Sequence, residues 1–345
     1  MRTLTLGLAG VGRIGVMHAR NILGLRERFA ARGIGLRLVL TDVALEHARA
    51  TAERLGAGHA DDVGALLAGG IDGLVVATGT QTHPELIRAG IAAGVPVFCE
   101  KPVAGDTASS LPLLREIREA GGTVQIGHQR RFDAGYLEAK RAYAAGELGW
   151  IHSLRAVTGD MFPPSVEYLA TSGGLFRDCS VHDFDVIRWI IGREVVEVYA
   201  RGSNNGDPAI GAVGDVDTAL AVLTLDDGTV ATATATRYNG AGHDVRLEIQ
   251  GSKGSLVVGL DERAALRSAE PGTAFPSGSP HETFAERFAP AYSEEMAAFV
   301  ELVLGERENP CPPEDAVAAS AVADAAQESL ATGAPVRVDP LAARI

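Results

Sequence analysis

The run Leu4-Thr5-Leu6-Gly7-Leu8-Ala9-Gly10-Val11-Gly12-Arg13-Ile14-Gly15 constrains this chain more than any other feature. A hydrophobic strand runs straight into glycines spaced G-x-G-x-x-G. Gly10 permits a tight turn, Gly12 lets the backbone approach a pyrophosphate, and Gly15 lets the next helix lie close to its strand. The helix N-terminus then favours the phosphate charge. Glycines also mark ordinary strand-to-helix turns, but the strand before them and the amphipathic segment Ile14 to Leu25 after them supply the required context. Gly10, Gly12, Arg13, Ile14 and Gly15 are therefore the expected dinucleotide loop, and redox chemistry is the expected use.

With 345 residues the chain has length for about two domains, and 46% hydrophobic residues mark it as globular. A formal net charge of −13 argues against a nucleic-acid surface, since such surfaces concentrate Lys and Arg. The densest basic stretch, Arg26 to Arg32, is interrupted by Glu27 and reads as a solvated helix end. Cys99, Cys179 and Cys311 are odd in number and form no C-x-x-C pair, so neither a disulfide framework nor a structural zinc site is indicated. No secretory-signal pattern opens the sequence, and Arg13 and the glycines interrupt any apolar span. A soluble, cytoplasmic protein is expected.

Up to about residue 126, short apolar runs alternate with helical patterns. Leu36 to Thr41, Gly73 to Ala77, Val95 to Cys99 and Thr123 to Ile126 are predicted strands; Ala44 to Leu55, Pro84 to Ala93 and Thr107 to Ala120 are predicted helices. That alternation specifies a doubly wound parallel sheet. Beyond it come a helix at Asp133 to Ala145, a strand at Ile151 to Thr158, and a helix at Ser180 to Ile191. Five strand-like runs follow, from Glu194 to Val258, separated by turns such as Asp226-Asp227-Gly228, and two helices close the pattern at Ser293 to Leu304 and Glu314 to Thr332. The expectation is an α/β chain: a Rossmann domain over residues 1–126, then a second α/β domain over 127–345 with a large, mostly antiparallel, open-faced sheet.

Asp42 ends the second strand, where a carboxylate bonds the adenosine ribose hydroxyls and repels a 2′-phosphate, favouring NAD; an Asp after a strand is also an ordinary helix cap, but the cofactor role is the expected one. Thr78-Gly79-Thr80-Gln81-Thr82-His83-Pro84 follows the third strand at the ligand edge of the sheet, either lining the cofactor or simply capping the helix at Pro84. Glu100-Lys101-Pro102 ends the next strand at the same edge; Pro102 restricts Lys101 to extended geometry, so its ammonium is aimed, a candidate for stabilising an alkoxide or lowering a substrate pKa. In Gly173 to Asp185, a continuous helix would set Asp178, His182, Asp185 and Trp189 on one face and Val181, Phe184, Ile187 and Ile191 on the buried one. His182 beside a carboxylate has the parts of a general base, although a helix cap at Asp178 and a solvated histidine explain the same residues. His182 and Asp185 fall short of a dedicated metal site, and none is expected.

Taken together, Gly12-Arg13-Ile14-Gly15 leading to His18-Ala19, Glu100-Lys101-Pro102, Gln129-Arg130-Arg131-Phe132-Asp133, and Ser172-Gly173-Gly174 through His182-Asp183-Phe184-Asp185 resemble the Gfo/Idh/MocA oxidoreductases, most of all the inositol 2-dehydrogenase branch. The resemblance implies a catalytic triad of Lys101, Asp178 and His182. It implies NAD held by the glycine loop, Asp42 and Glu100-Lys101, with Thr78, Thr80 and His83 beside the nicotinamide. It also implies substrate contacts from Asp185 and Gln129, with Asp160, Tyr238 and Tyr292 as further pocket candidates. The substrate would be a polyol or sugar, and the open sheet face would pack on a neighbour in a dimer or tetramer. The chain departs from the inositol pattern at Gly159-Asp160-Met161, where Arg-Asp-Pro or Arg-Asn-Pro is expected, and at His128, where a bulky apolar residue is expected. An NAD-retaining glycosidase and a noncatalytic sugar sensor share the fold; the intact Lys101, Asp178 and His182 argue against the sensor.

Overall fold

The structure, a computed structural model, describes residues 2–341. The described residues pack as two units, one holding residues 2–132 together with Pro290–Val317, the other Asp133–Ala289 and residues 318–341. A single boundary after residue 126 does not include this return of the chain to the first unit. Its cause is burial. In the helix Ala289–Val303, the side chains of Met296, Phe299 and Val300 are fully buried in one cluster with Leu6, Leu8 and Phe98. Each such side chain contributes roughly 1.5–3 kcal/mol when removed from water, enough to decide which core a helix joins.

In the first unit, strands β1 (Arg2–Ala9), β2 (Ile34–Thr41), β3 (Gly58–His59), β4 (Gly73–Val76), β5 (Val97–Glu100) and β6 (Val124–Gly127) form one parallel sheet in the order β3-β2-β1-β4-β5-β6. The order reverses direction beside β1, between β2 and β4, and ligands of such sheets collect outside the carboxyl ends at that switch point. Gly10, the Thr78 loop and Lys101 all follow carboxyl ends of central strands. Leu4, Leu6 and Leu8 are wholly buried, as a central parallel strand requires. Residues 56–72, unassigned from the sequence pattern, contain β3 and the helix Val63–Ala68, whose first turn is capped by Asp62 accepting from Ala65 N at 2.7 Å.

The second unit holds a sheet of β7 (Ile151–Gly159), β8 (Val195–Ser203), β9 (Thr218–Leu225), β10 (Val230–Thr236), β11 (Asp244–Gly251), β12 (Ser255–Val258) and β13 (Val336–Arg337), ordered β12-β11-β7-β10-β9-β8-β13. Every pair is antiparallel except β7 with β10. Along β9, Ala219, Ala221, Leu223 and Leu225 are buried while Leu220 and Val222 stay exposed, so one face is covered and the other open. The helix Val181–Ile191 packs on the covered face at β7 and β10, and Thr158 on β7 donates to Asp183 at 2.9 Å. Gly192, at φ 59°, ends that helix in the left-handed region that glycine tolerates.

Candidate active site

The glycine loop is a backbone device. Gly10 has φ 94°, and a Cβ there would lie 2.5 Å from the carbonyl oxygen of Ala77; a Cβ on Gly15 would lie 1.8 Å from the carbonyl oxygen of Gly10. Both positions are closed to any side chain. A Cβ on Gly12, in contrast, would meet nothing within 4 Å. Gly12 is the N-cap of the helix Arg13–Gly24, with no side-chain cap and no acidic residue in the first turn. The first N–H groups of that helix therefore meet no carboxylate from its own first turn, and the open space beside Gly12 has room for a pyrophosphate.

Asp42 sits beside this loop. Its Oδ2 accepts from Val11 N at 2.7 Å and its Oδ1 from Ala44 N at 2.9 Å, so it tethers the loop and closes a turn at once. It remains half-buried, with lone pairs left for ribose hydroxyls. After β4, Thr78 and Thr82 share a hydroxyl hydrogen bond at 2.7 Å, while Thr80 is half-buried. His83 is 1% exposed; its Nδ1 lies 2.7 Å from the Pro102 carbonyl oxygen and its Nε2 3.3 Å from that of Thr78. The ring thus braces the Thr78 loop against the turn at Lys101-Pro102, whose peptide bond is cis. Lys101 is half-buried. Glu100 is bonded to Nε2 of His18 at 2.6 Å. Burial pushes the Glu100 carboxyl up, but the His18 hydrogen bond, followed by the charges of His18 and Lys101, brings it below its ordinary value. Gln129 and Tyr292 also belong to this unit and are 5% and 6% exposed; the Tyr292 ring stands edge-on to His18 at 5.9 Å.

In the second unit the helix over Gly173 to Asp185 is not uniform. A π-type turn spans Phe176–Ser180 and runs directly into the helix Val181–Ile191. Such wide turns re-aim side chains and recur at functional sites. Val181, Phe184, Ile187 and Ile191 are buried as the periodicity predicts, yet Asp185 is also 0% exposed. Of the four residues expected on one accessible face, Asp178, His182 and Trp189 are half-buried and Asp185 is sealed off.

Both oxygens of Asp178 are held. Tyr168 donates its hydroxyl to Oδ1 at 2.8 Å, and Arg237 donates from Nη1 to Oδ2 at 2.7 Å. The Arg237 guanidinium is 1% exposed, bonds Asp215 at 3.2 Å, and lies 3.4 Å from the Cys179 sulfur. Asp215 in turn accepts from Leu175 N at 2.9 Å, just before the π-type turn. An arginine buried between two carboxylates keeps its charge, and it holds Asp178 as an oriented anion. Burial pushes the Tyr168 hydroxyl up, and the neighbouring Asp178 charge pushes it further, so it stays a donor. Asp160 lies 3.2 Å from Nδ1 of His243, and Tyr238 is 38% exposed on the segment after β10. Arg237, Tyr168, Asp215 and His243 carry no motif. Their link to Asp178 or Asp160 spans 10 to 83 residues and only the fold reveals it.

Comparison with known proteins agrees with both units. Residues 4–128 match the oxidoreductase family's NAD-binding Rossmann fold, and residues 140–338 match the same family's C-terminal alpha/beta domain. The chain belongs to the Gfo/Idh/MocA oxidoreductase family and is an NAD-dependent oxidoreductase. It is 33% identical to the myo-inositol 2-dehydrogenase of Thermotoga maritima over 97% of this chain and 99% of that one. It is 32% identical to the scyllo-inositol 2-dehydrogenase (NAD(+)) of Bacillus subtilis over 96% and 95%. Among solved structures, scyllo-inositol dehydrogenase from Lactobacillus casei with bound NAD(H) and scyllo-inositol superimposes with a TM-score of 0.86 at 29% identity, covering 98% of this chain and 99% of that one. Among the described residues no helix is long and apolar enough to cross a membrane.

Proposed function

We propose that this protein oxidises a secondary hydroxyl of a cyclic polyol of the inositol class, passing hydride to NAD. The observation that carries this reading is the full-length likeness to a structure holding NAD(H) and scyllo-inositol, in a chain that retains Lys101, Asp178 and His182. NAD, when bound, supplies the hydride acceptor at C4 of its nicotinamide. His182 takes the hydroxyl proton as the carbinol carbon gives up its hydride, so that proton and hydride leave together and a ketone remains. Asp178, fixed by Arg237 and Tyr168, is the anion that orients His182 and balances its charge once it is protonated. Lys101 donates to the reacting oxygen and stabilises its developing negative charge. The Gly12 cradle, Arg13 and Ile14 take the pyrophosphate, Asp42 the ribose, Thr78 and Thr80 the nicotinamide side, and His83 and Glu100 hold the loops that present them. Asp160, Tyr238 and Gln129 complete our assignment of substrate contacts, with Asp185 and Tyr292 behind them.

The same reading makes the protein a cytoplasmic homo-oligomer joined through the open sheet face. Leu220, Val222, Val230 and Val257 stand 37% to 47% exposed along β9, β10 and β12, more apolar surface than a sheet facing only water carries. Incubation with NAD and a panel of inositols, aldoses and sugar acids, followed by NADH absorbance, tests the activity. Turnover on an inositol is expected. Bound nucleotide with no net NADH from any polyol would replace this reading by a cofactor-retaining one.

A further inference from the structure

Three ionisable side chains that carry no step of the proposed chemistry meet in the interior of the first unit. His18, on the helix Arg13–Gly24, is 0% exposed and bonded through Nε2 to Glu100. Glu295, on the helix Ala289–Val303, is also 0% exposed, and neither of its carboxyl oxygens has a hydrogen-bond partner. One nitrogen of His18 and one oxygen each of Glu100 and Glu295 lie within 4.8 Å of one another. Among the described residues, the other charged or titratable groups interacting with this pocket include Cys99, Tyr292, Arg13, Arg130, Lys101 and His83.

An ionised carboxylate can only accept, and one sealed from water with no donor is strongly disfavoured, whereas the neutral acid carries a proton of its own to give. Burial, and then the charge of Glu100, hold the Glu295 carboxyl well above its ordinary range, while Glu100 next to it is held below. Two neighbouring carboxyls pushed in opposite directions divide into a donor and an acceptor. We propose that Glu295 is a buried neutral acid whose O–H is directed at the Glu100 carboxylate, so that Glu295 and His18 grip Glu100 from two sides and, through the Glu100-Lys101 peptide, position Lys101. Glu295 and His18 are positioning residues in this scheme. Their consequence for turnover rests on the role proposed above for Lys101, but the protonation state does not.

Isotope-edited infrared spectra of the whole protein at neutral pH test the first part without any substrate. A protonated carboxylic C=O band is expected in the wild type and absent in Glu295→Gln. A spectrum showing only carboxylates at this position would overturn the proposal, as would a stoichiometric metal ion in the purified protein that Glu295→Gln removes. For positioning, Glu295→Gln keeps a neutral donor and is expected to retain kcat to within about threefold, while Glu295→Leu, which fills the volume without a donor, loses about tenfold or more in kcat with NAD affinity intact. Equal kcat and equal pH profiles in the Leu variant and the wild type would reduce Glu295 to packing and overturn the positioning role. A wild type without polyol turnover but with the infrared band would reject the proposed function alone.

Discussion

The glycine cradle of the first unit is built from backbone, whereas the Asp178 cluster of the second is built from side chains contributed by stretches of chain as far apart as Tyr168 and Arg237. In the cradle, what matters is the absence of atoms: a Cβ on Gly10 or Gly15 collides with carbonyl oxygens, and the space beside Gly12 is left open. In the cluster, what matters is mutual constraint. Asp178 is fixed by Tyr168 and Arg237, Arg237 by Asp215, and Asp215 by the backbone ahead of the π-type turn. A steric site fails when something is added, and an electrostatic one fails when something is removed.

Substitutions can break that contrast, and the largest effect is expected at Lys101. Lys101→Met should fold and bind NAD but lose about a hundred- to a thousandfold in kcat, the scale of one transition-state donor, in steady-state assays. Near-normal kcat would make the Glu100-Lys101-Pro102 turn purely structural. Arg237→Met should come next. It leaves Asp178 and Asp215 without their shared cation, and denaturant unfolding should show a loss of about 3–5 kcal/mol, with kcat falling and NAD affinity of the folded protein preserved. An unchanged unfolding midpoint would mean that the cluster is not the linked system described.

Within the cradle, Gly15→Ala and Gly12→Ala should separate cleanly. The first drives a methyl group into the Gly10 carbonyl and should lower the melting temperature as well as NAD binding; the second, at ordinary φ, should leave stability nearly unchanged and weaken NAD alone. Equal stability losses in the two variants would show that the space beside Gly12 is not reserved for a ligand. The smallest effect is expected at Asp42. Asp42→Ala should weaken NAD more than NADP in titrations followed by nucleotide fluorescence, and remove about 1 kcal/mol of stability through its lost bonds to Val11 and Ala44. A wild type that prefers NADP would reverse the assignment.

The same contrast explains what was legible in the sequence. The glycine loop could be read because its meaning is local: strand, turn and helix lie within a few residues, and steric exclusion is written as glycine. Helix Val181–Ile191 could be read on its apolar side, since Val181, Phe184, Ile187 and Ile191 repeat at helical spacing. The π-type turn over Phe176–Ser180 could not, because one extra residue per turn leaves no compositional trace, and neither could the full burial of Asp185, three residues beyond half-buried His182. Arg237 closed a Thr/Ala-rich strand without any sign of its partner 59 residues earlier. His83 was legible as a loop residue but not as a brace, since its bond to Pro102 depends on two neighbouring strands ending side by side. The return of Pro290–Val317 to the first unit was hidden for a similar reason: helical periodicity states that a face is apolar, not which core it enters.

The central claim is that His182 moves the proton when a polyol hydroxyl is oxidised, and the pH dependence of kcat in the wild type and in His182→Ala tests it most directly. A neutral imidazole accepts the proton and a protonated one does not, so wild-type oxidation should fall as the pH is lowered through the histidine's titration, and ketone reduction should fall as it is raised. In His182→Ala the acidic limb of oxidation should disappear and kcat should drop by at least about a hundredfold, with NAD affinity largely kept. A variant that retains both the limb and most of its rate would contradict the account, and would leave the Asp178–His182 edge as a binding surface alone.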